Sequence, residues 1–79
     1  MKKYQVIGGQ YKSMWYGESD SLRGARIIAG KNKEYWDNWQ GWHTPLIYDA
    51  EDVVETESME RFPKFGAVDI DTKKRYANG

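Results

Sequence analysis

The sequence predicts a small α+β domain, an antiparallel sheet of about four to six short strands with one main helix packed on one face. Three observations carry this expectation. Short β-branched or aromatic runs are punctuated by glycine and proline. One stretch of the first half places apolar residues at helical spacing. The 79 residues leave room for a single core, so residues 1–79 are expected to form one domain with a frayed tail at 76–79. The chain has no cysteine and one histidine, His43, so neither a disulfide nor the usual zinc ligands can staple it. Packing has to hold it together, alone or as a homo-oligomer, and four Trp, six Tyr and two Phe supply the large faces.

Lys3 to Ile7 and Tyr11 to Tyr16 read as two strands of a first hairpin, joined at Gly8-Gly9-Gln10. In the second of these, apolar residues fall on both faces, so alternation chooses no inside. Gly17 is expected to break that strand, and Ser19 or Asp20 to cap a helix from about Ser21 to Asn32. Leu22, Ala25, Ile28 and Ala29 form its core stripe, with Arg23 and Lys31 facing water. Gly24 calls for a close contact, and Gly30 for a break or a left-handed cap, because each glycine costs about 1 kcal/mol in a helix. Glu34 to Gln40 adds a further helical turn. Leu46 to Tyr48 and Val53 to Glu57 are the next strands, separated by the polar Asp49 to Asp52. Ala67 to Ile70 with Arg75-Tyr76 forms a last hairpin around Asp71 to Lys74.

Charge is zero in sum but segregated. Residues 1–33 carry seven Lys/Arg against two Asp/Glu, residues 34–60 none against eight, and residues 61–79 five against two. A zero net charge excludes simple electrostatic adhesion of the whole molecule to nucleic acid or anionic lipid. The basic start lacks an apolar run of signal-peptide length and no segment approaches a membrane span, which points to a cytoplasmic protein without a membrane partner.

Two stretches stand out. Tyr35-Trp36-Asp37-Asn38-Trp39-Gln40-Gly41-Trp42-His43-Thr44-Pro45 holds three Trp at spacing three. Either Trp36 and Trp39 complete the helix stripe while Trp42 plugs the sheet, or one of them reaches the surface as an anchor for a partner or a planar ligand. Asp49, Glu51, Asp52, Glu55, Glu57 and Glu60 lie within twelve residues free of basic side chains. They are either a solvated edge kept soluble by charge or a docking strip for a basic surface. Their spacing does not match a calcium loop, so no metal is expected. No nucleophile motif, phosphate-binding glycine loop or dinucleotide fingerprint is present, and no enzyme activity or cofactor is expected.

The run Tyr35 to Pro45, followed by Ile47-Tyr48 and Glu51-Asp52 and preceded by Val6-Ile7-Gly8-Gly9-Gln10, resembles a family of short proteins from gut-type Firmicutes and their phages and mobile elements. The likeness covers about Tyr4 to Val53. It implies an accessory protein of a phage or mobile element, an anti-defence factor among the options, and carries over no catalytic or binding residue.

Two functions compete. The first is a non-enzymatic binding protein that docks on a host protein with a basic surface through Trp39, Trp42, His43, Tyr48, Asp49, Glu51, Asp52 and Glu55. The second is a binder of nucleotides or single-stranded nucleic acid that stacks bases on Trp15, Tyr16 and Trp42 and holds phosphates with Arg23 and Arg26.

Overall fold

The computed structural model describes residues 1–8, 14–36 and 45–75, and the side chains among them except at position 14 and at 33–36. The first turn, residues 11–13 of the expected second strand, Trp39, Trp42, His43 and the tail 76–79 lie outside the described residues.

The described residues form an α+β fold with five strands and one α-helix. Strand β1 (Tyr4–Gly8) is central, flanked antiparallel by β2 (Met14–Ser19) and β3 (Leu46–Asp49), and helix α1 (Leu22–Trp36) packs on this sheet. A second sheet pairs β4 (Val53–Glu55) with β5 (Arg61–Pro63), so the expected single sheet is divided in two.

Each face of the three-stranded sheet has its own core. On the helix side, Val6 and Ile47 meet Ala25, with Leu22, Ile28, Ala29, Tyr4, Tyr16 and Ile70 around them. The expected stripe is therefore the packed face, and Arg23 and Lys31 are exposed. On the far side, Ile7 and Tyr48 meet Val53 and Ala67. Apolar residues pack on both faces of this sheet, which is why alternation chose no inside in the second strand.

Several local expectations are corrected. Strand β2 runs through Gly17 because the chain absorbs the irregularity as a bulge: Val6 pairs with Gly17 and Ile7 with Trp15, leaving Tyr16 as the extra residue. The missing side chain there lets the helix close in, since a Cβ on Gly17 would stand 3.3 Å from two Ile28 carbons. The helix cap is Ser21 rather than Ser19 or Asp20. Its Oγ accepts the Gly24 N–H at 3.0 Å, while Ser19 Oγ accepts the Ser21 N–H at 3.2 Å. Gly24 does make its close contact, for a Cβ there would fall 2.1 Å from Ser19 Oγ. At Gly30 the helix neither breaks nor caps; the packing of the stripe that precedes it outweighs the propensity cost of about 1 kcal/mol.

The strand β5 was not foreseen. Pro63 speaks against a strand, yet it sits at the strand's end, opposite Val53 and buried, where a missing N–H breaks no ladder. Of the expected C-terminal hairpin the described residues form the Val68–Arg75 bridge and a turn closed by Asp69 N–H on Lys74 O at 2.9 Å and Lys73 N–H on Asp69 O at 3.0 Å. Its far side serves β3: Ile70 N–H donates to Ile47 O at 2.9 Å, and the buried Asp69 side chain accepts the Ile47 N–H through Oδ1 and the Thr72 N–H through Oδ2. Asp69 and Ile70 thus close the outer edge of β3, a carboxylate standing in for a strand carbonyl.

One group in this core is unsatisfied. The Tyr16 hydroxyl is shut off from water without a hydrogen bond among the described residues, and burial pushes its phenol pKa up. Tyr16→Phe is therefore expected to stabilise the protein by about 1 kcal/mol, seen as a rise of roughly 4–8 °C in melting temperature.

Candidate interaction surface

A polar knot fastens the two-stranded ribbon to the main sheet. Gln5, fully buried, uses its whole amide: Nε2 donates to Lys2 O at 2.7 Å and Glu18 Oε1 at 3.0 Å, and Oε1 accepts from Trp15 Nε1 at 3.0 Å and Arg61 Nη1 at 2.8 Å. Arg61, from β5, also reaches Glu18 Oε1 at 3.1 Å and Glu55 Oε2 at 2.9 Å, and its guanidinium lies 4.5 Å from the Trp15 ring centroid. Hydrogen bonds from Gln5 and the Lys2 N–H, with the Arg61 charge, hold the Glu18 carboxyl down at about 2. Because side chains alternate along a strand, fixing Arg61 and Glu55 inward turns their neighbours Val54 and Phe62 outward, directly opposite each other.

Three of the large apolar side chains that meet solvent among the described residues belong to this ribbon and its turns, the others being Met1, Trp15, Ile27 and Val68. Val54 is 45% exposed, and the loop that joins the strands puts Met59 out at 78%. Met59 closes that loop with a left-handed backbone (φ 65°), donating to Thr56 O at 2.9 Å, while the Thr56 N–H reaches Glu60 O at 2.8 Å. A β-hairpin loop of this shape usually carries glycine at the left-handed position. At the other end, Lys64-Phe65-Gly66-Ala67 makes a tight turn with Ala67 N–H on Lys64 O at 2.9 Å and Gly66 at φ 86°, type II geometry. The turn is anchored by the buried Pro63 and Ala67 and by Lys64 N–H on Asp52 O at 2.7 Å, and it presents Phe65 at 75% exposure.

The acidic residues divide into two groups here. Asp49 is used inside the fold: its Oδ1 accepts the Glu51 N–H at 3.0 Å, its Oδ2 meets Lys3 Nζ at 2.9 Å, and both lower its pKa. Glu55 is taken by Arg61. Glu51, Asp52, Glu57 and Glu60 have no ion pair among the described residues, and they flank the ribbon at its base and tip.

Of the residues expected to bind a protein partner, Glu51 and Asp52 sit at this surface and Asp49 and Glu55 beside it. Tyr48 does not: its strand position turns it into the far-side core, where it is 2% exposed, so it is no surface anchor. Trp39, Trp42 and His43 are outside the described residues. Of the expected nucleotide-binding group, Trp42 lies outside the described residues, and the other four do not share one face. Trp15, half exposed, stands on the far face under Arg61, whereas Tyr16 packs on the helix side and Arg23 and Arg26 lie on α1. Phe65 and Met59 were missed, although the type II turn was legible in Lys64-Phe65-Gly66 once Gly66 is read as its third residue.

Among the described residues, no three His, Asp or Glu side chains lie close enough to hold a metal ion, and no helix is long and apolar enough to cross a membrane. Searches against family models, curated proteins and solved structures return no match.

Proposed function

We propose that this protein works by binding another protein, and that the outer face of the β4–β5 ribbon is the docking surface. One observation carries the reading: Met59, Val54 and Phe65 are exposed along the ribbon and its two turns, with the half-buried Phe62 opposite Val54, and the carboxylates Glu51, Asp52, Glu57 and Glu60, which form no ion pair among the described residues, flank the same segment. Single exposed apolar residues are ordinary on protein surfaces, but three of them along one ribbon and its turns, flanked by such carboxylates, make the composition of a recognition patch. The partner that complements it is a protein with a basic surface around an apolar hollow. An accessory or inhibitory role in a host cytoplasm is part of this proposal and is the role that the resemblance over about Tyr4 to Val53 implies.

The pre-formed turn at Phe65 suits an anchor, since little freedom remains to be lost on binding. Phe65→Ala is expected to weaken binding at least tenfold, chiefly by faster dissociation. Replacing Glu51, Asp52, Glu57 and Glu60 together by Gln or Asn is expected to slow association and flatten its salt dependence. The test is parallel capture from host cells by the wild-type protein, by Phe65→Ala and by an Arg23→Ala control, followed by kinetics on the protein that only Phe65→Ala loses. Equal capture by all three folded proteins would place the docking surface elsewhere.

A further inference from the structure

On the helix side of the main sheet, away from the ribbon, a cleft of about 280 Å³ opens between Arg26, Ala29 and Gly30 of α1, Pro45 to Ile47 at the start of β3, and the turn Asp69 to Thr72. That is at the lower end of the size range of small-molecule sites. Beside Arg26 the helix offers the small Ala29 and Gly30 here; among the described residues nothing lies within 4 Å of where a Cβ on Gly30 would stand. Its walls are apolar, and its charged groups are few. Asp69 is spent on the backbone N–H groups of Ile47 and Thr72. Among the described residues Arg26 is the one cation in the lining.

Arg26 holds Asp71 in a fork, through Nε at 3.2 and 3.1 Å and Nη2 at 2.8 Å, which leaves Nη1 without a partner among the described residues. The pair is open to water, with Arg26 58% and Asp71 34% exposed, so little free energy ties the two together. Asp71 also has a second cation nearby, because the Lys73 charge contributes to its lowered pKa. A second carboxylate can approach the guanidinium from its Nη1 side, across from the Nε edge that Asp71 holds.

We infer that this cleft binds a small free carboxylate with a compact apolar body, the carboxylate on Arg26 and the body against Ala29, Gly30, Pro45 and Ile47. Guanidinium and carboxylate match in a planar two-point contact, and the apolar walls leave the body no other polar partner to satisfy. The site is independent of the ribbon surface and does not rest on it.

The experiment is titration of ¹⁵N-labelled protein with benzoate at constant ionic strength, with benzamide and benzylamine as controls. Benzoate is expected to give saturable shifts at the Gly30, Ile47 and Thr72 amides, with a dissociation constant on the order of 1 mM for so small a ligand. Arg26→Gln should weaken it at least tenfold, and Asp71→Asn, which frees the fork, should tighten it severalfold. Gly30→Leu fills the cleft while improving helix propensity, so it should abolish binding in a protein at least as stable as the wild type. Benzoate shifts that fail to saturate, that survive Arg26→Gln, or that benzamide or benzylamine reproduces would overturn the assignment.

Discussion

Asp69→Ala is expected to cost about 3 kcal/mol, a large part of the roughly 4–12 kcal/mol that a chain of this length holds in total. Asp69 is 1% exposed and accepts two backbone N–H groups, one on β3 and one in the following turn. Removing the carboxylate strands the Ile47 N–H at a buried edge, and Ile47 belongs to the helix-side core. Asp69→Asn should be milder, because its remaining oxygen can still accept one N–H while the new amide group faces the other donor. Guanidinium unfolding decides it: the midpoint should fall furthest for Ala and less for Asn, at an unchanged slope. Hydrogen exchange at the Ile47 amide should accelerate in the Ala variant beyond the global change, and equal midpoints for all three proteins would remove Asp69 from the account of the β3 edge.

Arg61→Ala carries the second large effect, about 2–4 kcal/mol, because a largely buried guanidinium leaves behind the Glu18 and Glu55 carboxylates and one lone pair of the buried Gln5. Arg61 is also what spans from β5 to the main sheet, so protection should fall first in β4 and β5. The same knot makes stability depend on acid. Glu18 has its folded-state pKa depressed from 4.5 to about 2, so its contribution is fully present above the unfolded value and is lost as pH falls through the folded one. Stability should therefore decline from about pH 5 towards pH 2, and Glu18→Gln should flatten part of that decline, with Asp49 and Asp71, also depressed, supplying the remainder. A Glu18→Gln protein with the wild-type acid profile would show that the knot contributes no charge-dependent stability.

The fold was legible wherever one residue's pattern decided one element. The stripe Leu22, Ala25, Ile28, Ala29 named the packed face of the helix because its alternative would have buried Arg23 in a small core. The strands β1 and β3 came from runs with few other readings. What escaped depended on partners far along the chain. Whether Gly17 ends a strand or sits in a bulge is set by Ile28 on the helix packed above it. Asp69 reads as one of several turn acids until Ile47 is seen beside it, 22 residues away. Strand β5 is three residues long, and its best signal was its pairing with Val53 to Glu55.

The candidate surface was legible in half. Acid density picked out the segment 49–60, but charge counts cannot tell a carboxylate held by Arg61 or Lys3 from one left open, and only the second kind is available to a partner. Tyr48 looked like an anchor because aromatic residues near charge often are; strand alternation carried it into the core instead. Phe65 was overlooked because its exposure is set by the backbone of the turn at Gly66, which points it outward.

The most direct measurement of the central claim is site-specific photo-crosslinking in host cells, with benzoylphenylalanine at position 65 or 59 on the ribbon and at position 31 on the exposed side of α1. Crosslinks from 65 and 59 to one and the same basic protein, absent from 31, are the predicted result; a partner captured at 31 and not at 65 or 59 would contradict it.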